Sequence, residues 1–300
     1  MSWRPLAGPR AETRKPRTPA DERRWQRARA ASRRWAAWGV VLGAVVGGLA
    51  QAPAQWLADA LRQGSGEHLL LADARGSLWN GSALLVLAGG PGSRDASVLP
   101  GRLQWRLRPG WQGMVLTAAQ DCCLQGELNL LLQPHWGGVT LSLAAPTSPA
   151  SPASPGRPAR ALGHWPAAWL AGLGTPWNTI QLGGVLQLAS PGLVLRSAQG
   201  RWQLDGTLSL ELLGASSRLS PLPVLGSYRL LLQGQADAPA TLRLDTLDGV
   251  LRLSGSGQWT DARLRFRGEA RAADGAEAAL ANLLNIIGRR QGALSVISIG

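Results

Sequence analysis

Apolar and polar residues alternate without a break through residues 201–212, which read RWQLDGTLSLEL. Because successive side chains of a β-strand point to opposite faces, this pattern predicts a half-buried strand, or two strands joined at Gly206. The segments 102–108 (RLQWRLR) and 263–267 (RLRFR) repeat the alternation with arginine on the wet face. Such alternation is typical of antiparallel sheets covered on one side only. We therefore predict a mainly β fold built on a curved, largely antiparallel sheet.

A glycine and a tryptophan stand together at the start of several apolar runs: GSLWNG (76–81), GRLQW (101–105), GRWQLDG (200–206) and GSGQW (255–259). These tryptophans fall on the apolar positions, and an indole can lie over a residue that lacks Cβ. We expect a repeated packing unit in which each tryptophan faces the core. The alternative is stacking on carbohydrate or peptidoglycan, which requires tryptophans on an exposed face.

Helical signals are few. Residues 53–63 either prolong a preceding helix or form a short amphipathic one, and WPAAWLAGL (165–173) opens with a proline suited to a first helical turn. The strongest signal is DGAEAALANLLNIIG (274–288), where Asp274 and Glu277 form a capping-box pattern and apolar residues recur at helical spacing. We expect this short C-terminal helix to pack against the sheet.

The N-terminal region has a different composition. Residues 1–34 hold 11 Lys/Arg and three acidic residues, and residues 35–58 then run without a charge. As a helix, 24 residues measure about 36 Å, enough to cross a hydrocarbon core of about 30 Å. We predict a transmembrane helix over 35–58 after a basic, disordered cytoplasmic tail at 1–34, with residues 59–300 exported to the periplasm. A cleaved signal peptide ending near 50–52 is the alternative.

The formal net charge of +13 invites a nucleic-acid interpretation, but 1–34 carries +8 of it. The arginines therefore indicate membrane topology and contact with anionic lipid, and no nucleic-acid partner is expected. Gly39, Gly43 and Gly47 recur every four residues inside the predicted span. This small-residue ridge is a candidate helix–helix contact in the membrane.

The segment APTSPASPASPGRPAR (145–160) is rich in proline, serine and alanine and predicts a disordered insertion. It divides the β region into 64–144 and 161–300. Two lobes, or one sheet with a long insertion, both fit this division.

The sequence shows no motif or cluster of catalytic residues. His68, His135 and His164 are scattered without metal-ligand spacing, and there is neither a P-loop nor a nucleophile elbow. We expect no enzyme activity, cofactor or metal. Cys122 and Cys123 are adjacent and are the only cysteines; they can bond to each other, link to another chain or stay free. A structural disulfide in a loop is favoured over a redox role.

Several longer motifs stand together in the second half: LGTPWNTIQLGG (173–184), SSRLSPLPVLGSYRL (216–230), LSGSGQW (253–259), RFRGEA (265–270) and LLNIIGRRQGALSVISIG (283–300). With the basic N-terminus and the single span, they closely resemble protein N of the type II, or general, secretion pathway. The resemblance covers roughly residues 30–300 apart from the insertion. It implies a single-span protein of the Gram-negative inner membrane, without enzymatic activity or cofactor. Its partners would be the inner-membrane platform and the secretin.

Two mechanisms follow from these features. In the first, the protein helps to export folded proteins across the outer membrane, and a partner adds a strand to an open edge of the sheet. In the second, it binds or transfers lipid in the periplasm with an apolar trough, as in the AsmA-like group, lined by faces such as 202–212. About 240 residues make a short trough, and we expect helix 276–287 to fill it.

Overall fold

A computed structural model gives the fold of residues 19–144, 159–198, 201–235, 238–260 and 263–300. The chain forms two units, Met1–Gln51 and Ala52–Gly300. The first contains helix α1 (Pro19–Ala50), and the second contains the strands and the remaining helices of the described residues. Of the helices in this part of the chain, none is both long and apolar enough to cross a bilayer.

Helix α1 begins earlier than the sequence predicts. The tail at 1–34 was expected to lack regular structure, but it is helical from Pro19 onward, and residues 1–18 lie outside the described residues. Alanine and arginine make up most of residues 19–34 and are good helix formers, so a helix can extend through this segment although it is not apolar.

The single helix expected over 35–58 is interrupted, because α1 ends at Ala50 and the next helix begins at Gln55. At the start of the second unit, the amide of Leu78 donates to the carbonyl of Ala52 at 2.8 Å, and the amide of Ala54 donates to the carbonyl of Gly76 at 3.2 Å. These backbone groups pair with the sheet instead of with a helix. The membrane-spanning role of the apolar part of α1 stays a prediction.

Sixteen strands form the second unit, and their bounds are β1 Leu69–Gly76, β2 Asn80–Ala88, β3 Ala96–Val98, β4 Leu103–Gly110, β5 Gly113–Ala119, β6 Leu128–His135, β7 Gly138–Ala144, β8 Arg160–Pro166, β9 Leu182–Ala198, β10 Arg201–Ser217, β11 Gly226–Gln235, β12 Ala238–Gly249, β13 Leu251–Thr260, β14 Arg263–Ala272, β15 Arg289–Gln291 and β16 Leu294–Ile299. They make one sheet in the order β1-β2-β4-β5-β6-β7-β9-β10-β11-β12-β13-β14-β16-β15, with β3 on β2 and β8 on β9. Every pairing between these strands is antiparallel, which confirms the predicted mainly β fold with an antiparallel sheet.

The two segments on either side of the insertion belong to the same sheet. Strand β7 pairs with the end of β9, so that Gly138 lies opposite Ala198 and Ser142 opposite Val194. Residues 145–158 of the predicted insertion lie outside the described residues, and Arg160 already belongs to β8. One sheet is therefore formed, and the alternative of two lobes is excluded.

Short helices accompany the sheet: α2 (Gln55–Gly64), a 3-10 helix (Ala167–Leu173), α3 (Trp177–Ile180) and α4 (Glu277–Ile287). The amphipathic α2 and the C-terminal α4 confirm two predicted helices. The capping box expected at Asp274 and Glu277 is wrong, since Ala276 is the N-cap and no side chain caps the helix. The amide of Ala276 instead bonds to the carbonyl of Ala273 at 3.0 Å, which makes a turn before the helix.

Two apolar cores lie on the sheet. Under α2, the buried residues are Ala54, Leu71, Ala83 and Trp105. Under α4, they are Ile180, Ala215, Leu225, Tyr228, Leu251, Ala270, Leu280, Leu283 and Leu284. Each of these two helices covers part of the sheet near one end of the strand order, and the 3-10 helix and α3 lie beside β9 between them.

The predicted glycine–tryptophan unit is confirmed at Trp105. This side chain is 3 % exposed, its Nε1–H donates to the carbonyl of Leu78 at 3.1 Å, and it lies across Gly81 of the neighbouring strand. A Cβ added to Gly81 would stand 2.5 Å from the indole Cζ2, so only glycine allows this contact. The same expectation is wrong for Trp202 and Trp259, which are 59 % and 49 % exposed.

A small ion-pair cluster joins β1 to the residue that precedes β4. Asp73 accepts hydrogen bonds from Arg102 Nη1 at 2.7 Å and lies 2.8 Å from Arg75 Nη2. The hydrogen bond from Arg102, and then that from Arg75, holds the pKa of Asp73 below its usual value of 3.8. The folded state therefore binds fewer protons at this site than the unfolded state.

We expect Asp73→Asn to lower the free energy of unfolding at neutral pH. Because the pKa is lowered on folding, the contribution of Asp73 is present above 3.8 and is lost as the pH falls through the lower folded-state value. Wild type and variant should then converge in unfolding measured across acidic pH. The control is Asp248→Asn, an exposed carboxylate without an ion pair to any described residue. A wild-type advantage that persisted at the lowest pH would contradict this assignment.

Candidate functional site: the apolar face of the sheet

Leucines from neighbouring strands stand opposite one another on one face of the sheet. One row runs Leu210, Leu230, Leu244, Gly255, Gly268, Ile297, and the next runs Leu208, Leu232, Leu242, Gly257, Phe266, Ile299. Since side chains two residues apart share a face, both rows lie on the same side. The predicted apolar face of 202–212 is thus part of a surface that extends from β10 to β16.

This apolar face continues into the first half of the sheet. Its rows there are Leu107, Leu116, Leu130, Leu143 and Leu132, Leu141, Leu195, Leu204. All eight of these side chains are half-buried leucines with strands beside them. The face crosses ten strand spacings from β4 to β16, about 48 Å along the sheet.

The second half of the apolar face lines a partly open cavity of about 470 Å³. Leu186 of β9 and Ile297 of β16 both line it, although six strand spacings, about 29 Å in a flat sheet, separate these strands. The sheet is therefore curved, as predicted. Leu283 and Ile287 of α4 line the cavity from one side, so the helix bounds the cavity but does not fill it, contrary to expectation.

The floor of the cavity depends on glycine. A Cβ on Gly255 would stand 2.5 Å from Cζ of Phe266, and one on Gly268 would stand 2.9 Å from its Cε1. Phe266 is 6 % exposed and takes the place that the sequence pattern assigned to Trp259. The signal that could have revealed this contact is the run of glycines at alternate positions in GSG, opposite RFRG on the next strand.

The cavity carries no charge. Among the described residues that line it, the polar group of note is Tyr228, whose hydroxyl donates to the carbonyl of Leu251 at 2.9 Å. Burial raises the pKa of Tyr228, so the hydroxyl stays neutral at physiological pH. With its polar atom already satisfied, the site offers apolar contact and shape to a ligand, and no group for acid–base chemistry.

The remaining candidate residues lie apart from the cavity. Cys122 and Cys123 are bonded to each other in the turn after β5, where Cys123 is buried and its carbonyl accepts the amide of His164 at 2.8 Å. His68 contacts the carbonyl of Ala88 at 3.2 Å. In the described part of the chain, no three metal-ligating side chains come together.

The glycine ridge of the predicted membrane contact lies on α1. A Cβ added to Gly39, Gly43 or Gly47 would meet no atom within 4 Å. The ridge is therefore open to a neighbouring helix, and the helix–helix contact stays a prediction.

These features define a class: a non-closed, single-sheet antiparallel β protein with one long apolar face and a charge-free cavity. The profile of the family described as "Type II secretion system (T2SS), protein N" matches residues 67–296, and the chain belongs to this family. No curated protein and no solved structure matches the chain. Membership of this family implies that the protein is a component of the type II secretion system and interacts with other subunits of that system.

Proposed function

We propose that this protein is a non-enzymatic, inner-membrane component of the type II secretion system. Its β domain lies in the periplasm and helps to export folded proteins across the outer membrane through protein–protein contacts. The observation that carries the proposal, beside the family, is that the sheet does not close on itself in the described residues: β1 and β15 are its two ends. An uncovered strand presents backbone groups to which a partner strand can pair.

The end at β16 is the more open of the two. Strand β15 pairs only with Leu294–Val296, which leaves Ile297–Ile299 uncovered on that side. Gln291 and Leu294 flank a two-residue hairpin loop, so their backbone groups hydrogen bond to each other. Along an antiparallel strand, the backbone groups of successive residues point alternately toward one neighbouring strand and then the other. The amide and carbonyl of Ser298 therefore point outward, away from β14.

The end at β1 is partly occupied by the chain itself. Pro53 forms a bridge with Ser77, and Ala52 and Ala54 hydrogen bond to the residues on either side of Ser77. A partner strand would have to displace this segment or pair beside it. We therefore assign the partner contact to the β16 end of the sheet.

The test is a pull-down of the C-terminally tagged full chain from detergent-extracted native membranes, with mass spectrometry of the bound proteins. Wild type should recover platform or secretin subunits. Ser298→Pro removes the outward amide without removing a bond to β14, because proline is tolerated at an edge position whose N–H faces solvent. We expect this variant to lose most of the recovered subunits.

Ser298→Ala is the matched control, since it keeps the backbone amide and should recover subunits as the wild type does. Circular dichroism of both variants checks that the sheet is intact. Equal recovery with Ser298→Pro would refute strand addition at this edge, and a wild type that recovered no secretion subunit would refute the scaffold role.

A second candidate, binding of acyl chains in the periplasm, is supported by one observation, the apolar cavity of about 470 Å³. Mass spectrometry of lipids in the same pull-down separates the two functions. Phospholipid recovered without secretion subunits would favour the lipid-binding function, and subunits recovered without lipid would exclude it.

A further inference from the structure

Exposed tryptophans lie along one edge of the sheet, the edge that is formed by strand ends and the hairpins between them. Because the strands alternate in direction, the hairpins β4–β5, β6–β7, β9–β10 and β13–β14 all fall on the same edge. Each of them carries a tryptophan in its turn or within two residues of a strand end: Trp111, Trp136, Trp202 and Trp259. We call these four residues the tryptophan edge.

The indoles of the tryptophan edge are strongly exposed. Trp111 is 107 % and Trp136 is 104 % exposed, whereas Trp202 and Trp259 keep 59 % and 49 %. Isolated exposed apolar residues are common on soluble proteins. Four tryptophans in line along one edge, over eight strand spacings or about 38 Å, are not explained by packing.

The opposite edge of the sheet lacks this arrangement in the described residues. Trp169 lies there half-buried, and its Nε1–H donates to the carbonyl of Ser97 at 2.9 Å. Trp177 is 37 % exposed and lines the cavity with the rest of its surface. Among the described strands and hairpins, the tryptophans with about half or more of their surface exposed therefore lie on one side of the sheet.

Basic residues accompany the tryptophan edge. Arg108, Arg196 and Arg265 lie within three residues of the ends of strands β4, β9 and β14 at this edge, and their side chains are exposed. None of the three forms an ion pair with a described residue. Indoles flanked by free cations match the interface of a bilayer, where tryptophan sits at headgroup level and arginine meets anionic phosphate.

The chain itself joins the β domain at this edge. Ala52, the first residue of the domain, accepts a hydrogen bond from the amide of Leu78 in the β1–β2 hairpin, which is on the same side as the tryptophan edge. The uncharged, apolar residues 35–50 end immediately before it in the sequence.

We propose that the tryptophan edge docks on the surface of a phospholipid bilayer with anionic headgroups. The indoles of Trp111 and Trp136 enter the interfacial region, and Arg108 and Arg265 contact lipid phosphate. This docking is independent of the partner contact at Ser298, and it orients the strands with their other edge away from the membrane.

The test is hydroxyl-radical footprinting of the full chain, with peptide mass spectrometry as the readout. The chain is compared in amphipol, in phosphatidylcholine nanodiscs, and in nanodiscs of phosphatidylethanolamine and phosphatidylglycerol. Oxidation of Trp111 and Trp136 should fall severalfold on transfer from amphipol to the phosphatidylglycerol discs, and by less in phosphatidylcholine. Oxidation of Trp177 should not change.

Two double variants test how much the arginine charges contribute to docking on anionic lipid. Arg108→Gln with Arg265→Gln should lose much of the protection in phosphatidylglycerol discs. The control variant, Arg252→Gln with Arg271→Gln, removes two exposed arginines at the opposite edge and should keep the protection of Trp111 and Trp136. Oxidation of Trp111 and Trp136 that is the same in amphipol and in both bilayers would overturn the proposal. Protection that appears only after other secretion subunits are added would assign the edge to a protein and would also overturn it.

Discussion

The Trp105→Ala variant should unfold with a free energy about 3 to 5 kcal/mol lower than the wild type, the cost usual for removing a buried tryptophan. The indole is 3 % exposed and fills the space above Gly81, where no side chain is available to move in. The change also leaves the carbonyl of Leu78 without its indole partner. Urea unfolding followed by far-UV circular dichroism measures the difference.

Trp111→Ala is the control for this substitution, because Trp111 lies in the hairpin that ends the same strand and is fully exposed. Its effect on the free energy of unfolding should stay within about 0.5 kcal/mol. A similar loss in both variants would mean that Trp105 does not anchor the core under α2.

The second large effect is expected at Leu284 of α4. This side chain is 1 % exposed in the core between α4 and the sheet, so Leu284→Ala should lower the free energy of unfolding by about 2 to 5 kcal/mol. The hydrogen bond from Ser295 Oγ to the carbonyl of Leu284 uses the backbone and remains available in the variant. The loss should therefore report packing alone.

Ile286→Ala provides the comparison on the same helix, since Ile286 is 39 % exposed and faces away from the buried set. We expect a change smaller than about 1 kcal/mol, as for other partly exposed surface positions. If Ile286→Ala were as damaging as Leu284→Ala, burial of Leu284 against the sheet would not explain its effect, and loss of helix propensity could not explain it either, because alanine is the better helix former.

The alternation of residues 201–212 was sufficient to predict strand β10 and the face on which its leucines lie. A period of two residues is a local property of the extended chain, and it survives whatever the strand pairs with. The same alternation placed Trp202 and Trp259 on the correct face but could not predict their exposure. Both lie at strand ends next to hairpins, where 59 % of Trp202 and 49 % of Trp259 stay exposed.

The N-terminal boundary shows a similar limit. The apolar composition of 35–58 predicts one continuous helix, but Ala52 and Ala54 form backbone hydrogen bonds with Gly76 and Leu78, which follow them by more than 20 residues. Pro53 is a local signal for a break, because proline removes a helical hydrogen bond and disfavours helical geometry in the residue before it. Only the fold shows that the residues around Pro53 pair with the sheet.

By itself, the sequence determined the mainly β class, the amphipathic faces of the strands, the C-terminal helix and the resemblance to the secretion family, because each of these rests on local periodicity or on contiguous motifs. Only the tertiary structure decided that the two segments around the insertion form one sheet, that Phe266 and not Trp259 lies over Gly255, and that exposed tryptophans line a single edge. These properties depend on strand order and register, which bring together residues that are far apart in the chain.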